Sequence, residues 1–248
     1  MRKLKKQGLP ENKILPALID SVLHLLFPDR CLFCRDILPL PDSLPLCSDC
    51  RTKHAPSGRI CPGCERLWQG NSPTCGCQPN LKSLQSLYAL SSYDQRWRQL
   101  LHDLKYRKRR SLGRPLGMWL AREIIAQNYC LPAVVVPVPL HRHKEKERGF
   151  NQSALIAEHA ARFLKVPCRC LLTKNMDTIS QTTISRRERY KNVSGVFSCT
   201  SALASGSVVL LVDDIYSTGA TMKEAASVLQ DNGALVYGAV ISYNPRIY

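Results

Sequence analysis

Asp213 and Asp214 stand side by side, and three residues after Asp214 the chain reads Ser217-Thr218-Gly219-Ala220-Thr221. Adjacent carboxylates can accept hydrogen bonds from vicinal hydroxyls or hold a divalent cation. Ser217, Thr218 and Thr221 supply hydroxyl donors, and Gly219 lets the backbone approach a ligand closely. The elements that must position them are legible on either side. Val208-Val209-Leu210-Leu211-Val212 reads as a strand buried on both faces, as a central parallel strand is. The acids then follow where that strand would leave the sheet. Thr221 to Asn232 has helical spacing, with Met222, Ala225, Ala226 and Leu229 on one face. A helix start offers unpaired N–H groups and partial positive charge, which suit a phosphate. A sugar carrying a phosphate on one side fits both halves. An ordinary capped helix after a buried strand would leave the two acids unexplained.

A second constellation lies nearer the amino terminus. Of the 12 cysteines, eight fall into four close pairs: Cys31/Cys34, Cys47/Cys50, Cys61/Cys64 and Cys75/Cys77. Two turns with two thiolates each can close a tetrahedron around Zn²⁺. The spacing therefore predicts one or two structural zinc ions. Cys75-Gly76-Cys77 is one residue short of the usual spacing. Sequential pairing (31, 34, 47, 50 and 61, 64, 75, 77) is preferred here, and interleaved pairing stays open. With no accompanying catalytic His or Glu, such sites are closed, and the metal supplies folding energy that a small module lacks. Cys130, Cys168, Cys170 and Cys199 are scattered and read as ordinary thiols.

The 248 residues carry 35 Lys+Arg against 19 Asp+Glu, a formal net charge of +16. Such a surface attracts polyanions, nucleic acid and phosphorylated small molecules among them. No 18-residue apolar run exists, so no membrane span is expected. The apolar stretch Ile14–Phe27 behind a basic start is interrupted by Pro16, Asp20 and His24, and the reading is a cytoplasmic protein. Three segments follow: a basic start and amphipathic helix over 1–27, a Cys-rich module over 28–80, and an α/β domain over 81–248. Residues 78–92 lead out of the Cys-rich module through Leu84, Leu87 and Leu90 and read as a first strand. Asp94 to Tyr106 reads as a helix, with Trp97, Leu100, Leu101 and Leu104 on one face. Lys105, Arg107, Lys108, Arg109 and Arg110 crowd its end around Tyr106. They form either a solvated helix end or a contact for a phosphate backbone, with Tyr106 as a stacking face. Ser111 is placed to cap the next helix. Ala133 to Leu140 is a buried strand broken by Pro137 and Pro139, followed by a polar loop over 141–152 and a helix through Phe163. A pyrophosphate fits against Pro137 and Val138, with Arg148 as a bidentate partner. Residues 169–174 and 234–242 read as further strands, and 175–198 as a polar segment.

The apolar strand, acidic pair and Thr218-Gly219-Ala220-Thr221 loop closely resemble the binding motif for phosphoribosyl pyrophosphate (PRPP) in type I phosphoribosyltransferases. That resemblance implies that Asp213 and Asp214 bind the ribose hydroxyls and act in catalysis. It implies that residues 217–221 hold the 5′-phosphate, with Mg²⁺ arriving on PRPP. A P-loop nucleotide hydrolase also ends a strand in two acids, but needs a G-x-x-x-x-G-K-[ST] motif that this chain lacks. Pro137-Val138-Pro139-Leu140 followed by Arg148-Gly149-Phe150-Asn151-Gln152 is similar to the signature of the ComF family of competence proteins. So is the pattern Gln181, Arg186, Arg189, Asn192 and Phe197, and the cysteine pairs occur in the same order. Departures are small: Ile215-Tyr216-Ser217 replaces a commoner Val-x-Thr, and Ser keeps the hydroxyl.

The fold this implies is α/β, a mainly parallel sheet of the type I phosphoribosyltransferase kind, behind a zinc-ribbon module. The function it implies is PRPP binding in natural transformation, with handling of single-stranded DNA. Competence helicase or DNA-processing proteins are the partners it points to. In phosphoribosyltransferases a mobile segment in the position of 175–198 closes over the ligand and excludes water. The alternative is a PRPP-dependent phosphoribosyltransferase of nucleotide metabolism with no DNA role. No general base and no acceptor can be named.

Overall fold

The computed structural model describes residues 28–39, 45–54, 58–61, 64, 67–68, 83–176 and 195–244. The sequence expectations for residues 1–27, for Cys75 and Cys77, and for most of the polar segment, Gln181 to Asn192 included, lie outside them. The chain divides into two compact units, residues 1–50 and 51–248.

In the first unit the chain turns back at Cys31. The Cys31 N–H donates to the Asp36 carbonyl at 2.8 Å and the Arg35 N–H to the Cys31 carbonyl at 3.0 Å. Arg35 takes up φ +70°, the left-handed conformation such a knuckle demands and a non-glycine residue seldom adopts. Helix α1 spans Ser48–His54.

In the second unit the elements run β1 (Gly58–Ile60), β2 (Leu67–Trp68), β3 (Ser86–Ser92), α2 (Gln95–Tyr106), α3 (Gly113–Ala126), β4 (Val134–Pro137), α4 (Arg142–Arg148), α5 (Gln152–Leu164), β5 (Leu172–Lys174), β6 (Phe197–Cys199), β7 (Val208–Tyr216), α6 (Ala220–Asp231) and β8 (Leu235–Tyr243). The main sheet has the order β2-β1-β3-β8-β7-β4. Strands β3, β8, β7 and β4 are mutually parallel, and β1 and β2 extend the sheet antiparallel. This is the expected mixed α/β architecture with a mostly parallel sheet. Strands β5 and β6 pair antiparallel on either side of the polar segment.

Both faces of the parallel part are covered, which is why Val208–Val212 of β7 and Ala239–Ile241 of β8 read as unbroken apolar runs. Val209 and Leu211 pack into one core with Ala225, Ala226 and Leu229 of α6. Leu210 and Val212 point to the other side and are fully buried there. On that side α3 and α5 pack against each other, and Gly113 and Gly117 set how closely. A β-carbon on Gly117 would fall 2.4 Å from the Ile156 carbonyl oxygen, and one on Gly113 2.9 Å from the Leu155 β-carbon. Among the described residues no helix is long and apolar enough to cross a membrane.

Four local expectations are corrected. Strand β7 does not end before the acids: its pairing with β8 continues in register through Asp213↔Val240 to Tyr216↔Tyr243. The ladder depends on backbone groups, so polar side chains at the strand's end do not stop it. The polar loop over 141–152 contains α4, opened by His141 and closed by Gly149 at φ +78°. All its members are polar and none is buried, so no apolar period announced it. Ser111 caps nothing, because residues Arg110–Leu112 form a 3₁₀ turn that runs straight into α3. Pro137 is itself the last ladder residue of β4, opposite Val212, and is tolerated because β4 is an edge strand.

Candidate functional site

The carboxyl end of β7 delivers Asp213 and Asp214 to a ring of donors from two helices. Oδ1 of Asp213 accepts from Ser153 Oγ at 2.7 Å and from the Asp214 N–H at 2.9 Å. Asp214 is buried, at 4 % exposure. Its Oδ1 accepts from Gln152 Nε2 at 3.4 Å, and its Oδ2 is ion-paired with the ammonium of Lys105. Gln152 and Ser153 open α5, whose amino terminus is fixed by Asn151. That side chain accepts from the N–H groups of Ser153 and Ala154, and its amide donates to the Val138 carbonyl at 3.0 Å. One asparagine thus ties the loop after β4 to the helix that presents Gln152 and Ser153.

The electrostatics of the two acids diverge. Burial, then the charge of Asp214, push the Asp213 carboxyl up to about 7. Asp214 is also penalised by burial, but Lys105 more than offsets this and holds it below the usual carboxylate range. One acid is therefore ionised at neutral pH and its neighbour titrates there.

Beyond Tyr216 the chain turns sharply. Gly219 sits at φ +76° as the residue preceding α6, and the Ala220 N–H approaches Thr218 Oγ1 at 3.4 Å. Ser217 is exposed, Thr218 and Thr221 are half-buried, and Gly219 and Ala220 are buried. The loop lies against the start of a twelve-residue helix, with Ser217 its exposed member. Pro137 and Val138 are buried at the end of β4 beside it in the sheet. Arg148 donates to Gln152 Oε1 at 3.0 Å, and its guanidinium lies 5.1 Å from the centre of the Tyr106 ring. A polar chain thus runs from Arg148 through Gln152 to Asp214.

In the first unit the sulfurs of Cys31, Cys34, Cys47 and Cys50 all lie within 4.8 Å of one another. Four thiolates at ~2.3 Å from Zn²⁺ would be ~3.8 Å apart, and Cys34 Sγ and Cys47 Sγ are 3.6 Å apart. The donor set and spacing fit a tetrahedral metal such as zinc. The grouping agrees with sequential rather than interleaved pairing for this quartet. Cys61 is buried at the end of β1 and Cys64 is half-buried.

A family model described as the phosphoribosyl transferase domain matches residues 151–247, from the cap of α5 to the carboxyl end of the chain. Over 216 residues the chain is 30 % identical to DNA utilization protein YhgH of Salmonella typhimurium, covering 85 % of this chain and 94 % of that protein. It is 28 % identical to competence protein F of Haemophilus influenzae over 217 residues, with 84 % and 93 % coverage. Against competence protein ComFC of Bacillus subtilis it is 28 % identical over 232 residues, with 90 % and 91 % coverage. The chain belongs to the ComF family.

In this ComF-family chain the basic run after α2 is divided rather than continuous. Arg107 and Arg109 reach back to Asp103 at 3.5 and 3.1 Å. Arg110 donates to the Gly149 carbonyl at 3.0 Å and lies 4.9 Å from the Phe150 ring centre. Lys108 is exposed, at φ +53°. Tyr106 is exposed, with the Arg148 guanidinium over its ring and the His102 ring tilted beside it at 4.8 Å between centroids. Lys105 leaves the run altogether and enters the acidic site. Sequence reasoning grouped it with its neighbours and missed Gln152, Ser153 and Lys105 as partners of the acids. The signals were there in part: Gln152 closes the Arg148-to-Gln152 signature, and Lys105 follows Leu104 on the apolar side of α2.

Proposed function

We propose that this ComF-family protein binds PRPP, or a related ribose 5-phosphate, at the carboxyl ends of β4 and β7, in service of natural transformation. The observation that carries the reading is the juxtaposition of Asp213 and Asp214, held by α5 and Lys105, with the Ser217–Thr221 turn at the start of α6. Vicinal ribose hydroxyls meet the carboxylates, and the 5′-phosphate meets the hydroxyls and N–H groups of the turn. The pyrophosphate lies toward Pro137, Val138 and Arg148, and Mg²⁺ travelling with it neutralises its charge. The names of the relatives, DNA utilization and competence, support a cytoplasmic role with incoming DNA. Lys108, Arg107 and Arg110, exposed even where Asp103 and the Gly149 carbonyl engage two of them, and the net charge of +16 suit single-stranded DNA.

The test is calorimetric titration of PRPP with magnesium into the wild-type chain and into Asp213→Ala/Asp214→Ala. Binding by the first and none by the second is expected. Equal binding by both would place the ligand elsewhere and overturn the reading. Pyrophosphate release in the presence of bases or amines would establish phosphoribosyl transfer. Its absence alongside tight binding would leave a binding protein.

A further inference from the structure

Lys105 is the one cation of its run that turns inward. Its side chain is 18 % exposed and ends on Oδ2 of Asp214, whose own side chain is 6 % exposed. Its neighbours Arg107, Arg109 and Arg110 are committed to Asp103 and to the Gly149 carbonyl. Two adjacent carboxylates at the end of a buried strand repel each other, and each loses hydration. A site of this kind needs positive charge close by, and a divalent cation is the usual external supply. Here the charge is already present, covalently attached to the last turn of α2 and brought to the acids by the fold. An ammonium is a compact point charge with three donors, so contact with Asp214 leaves donors over for a sugar hydroxyl. Oδ2 of Asp213 accepts no hydrogen bond among the described residues and remains available.

We infer that Lys105 is the fixed counter-cation of the acidic pair and a positioning residue for the sugar. It lets Asp213 and Asp214 grip ribose hydroxyls with no divalent cation between protein and sugar. The inference rests on the ribose reading above and deepens it. Any magnesium requirement then belongs to the pyrophosphate of the ligand and not to the ribose subsite. A ligand that has the ribose and 5-phosphate but lacks pyrophosphate should bind irrespective of magnesium.

The probe is therefore ribose 5-phosphate, titrated into the zinc-loaded full chain in buffer freed of divalent cations on a chelating resin, and again with millimolar magnesium. Wild-type affinity is expected to agree within about twofold between the two buffers. Lys105→Gln, confirmed as folded by its thermal transition and zinc content, should bind about tenfold more weakly without magnesium and recover in part when it is added. Lys105→Arg, which keeps the charge, should stay independent of magnesium. Wild-type binding that collapses without magnesium overturns the inference, as does Lys105→Gln behaving like wild type. Were Lys105→Gln not to fold, the wild-type comparison and Lys105→Arg decide alone. Failure of ribose 5-phosphate to bind in either buffer overturns the ribose reading itself, and the inference with it.

Discussion

Tyr216 closes the space beside Gly219: a β-carbon added to that glycine would lie 2.2 Å from the phenolic oxygen and 2.5 Å from Cζ. Tyr216 is 2 % exposed, and its ring packs on Tyr243 across the β7–β8 pair. The turn at the candidate phosphate site is thus shaped by a side chain of the strand that precedes it. Gly219→Ala meets both a left-handed backbone, worth about 1–2 kcal/mol, and an overpacked contact, worth about 1–3 kcal/mol. The variant should lower the denaturation midpoint accordingly and weaken PRPP binding. Adding Tyr216→Phe should recover only part of the loss, since Cζ remains in the way. Urea denaturation of the three proteins checks this.

Asp213 gives the folded chain a titration near neutrality. With its carboxyl raised to about 7, the folded chain keeps a proton that the unfolded chain, at about 4, has released. The stability this group contributes is complete below about pH 4 and is lost as pH rises through about 7. Asp213→Asn should therefore be more stable than wild type at pH 8, by a margin that shrinks as pH falls. Because the ionised form is the stronger acceptor, ribose phosphate affinity should rise from pH 6 to pH 8 more steeply in wild type than in the variant, where only the ligand's own phosphate, with its second pKa of about 6, still titrates. Equal pH profiles for the two proteins would contradict the assignment.

The cysteine quartet makes a prediction about metal. Cys34→Ser should reduce bound zinc by one equivalent, measured by elemental analysis against the wild-type chain. Chelation should abolish amide-exchange protection over residues 28–39 and 45–50, because a small thiolate site of this kind contributes about 10–16 kcal/mol of apparent binding energy to its fold. Protection that survives metal removal would show that packing alone holds the unit.

Opposite charge near Asp103 works in the reverse sense. Burial alone would raise its carboxyl, but the Gln99 amide, Arg109 and Arg107 outweigh burial and hold it low. Its contribution is present above about pH 4 and is lost as pH falls through its folded value. Asp103→Asn should cost about 1–3 kcal/mol at pH 7 and progressively less in acid, as read by thermal unfolding at pH 7 and pH 3.

The central strands and helices were legible because burial writes itself into apolar runs and periods. Val208–Val212, Met222 to Leu229 and Trp97 to Leu104 are the cases in point. What stayed hidden depends on backbone pairing or on distance along the chain. The ladder continues past Val212 whatever side chains it carries. Helix α4 carries only polar side chains and has no apolar face to reveal it. Lys105 lies 109 residues from Asp214, and nothing in a row of cations marks the one that points inward. Gln152 and Ser153 looked like ordinary first-turn residues until the fold brought them under the acids.

The three residues of β1 have a bearing on how this protein stays apart from its own copies. Without Gly58–Ile60 paired to Leu87–Ala89, the parallel sheet would end on β3, with a bare row of amides and carbonyls flanked by apolar side chains. Such a flank is a template on which a second molecule can add a strand. A chain that sheds this short seal would be expected to clump before it unfolds, so the segment leading into Cys61 also serves as a guard against coalescence.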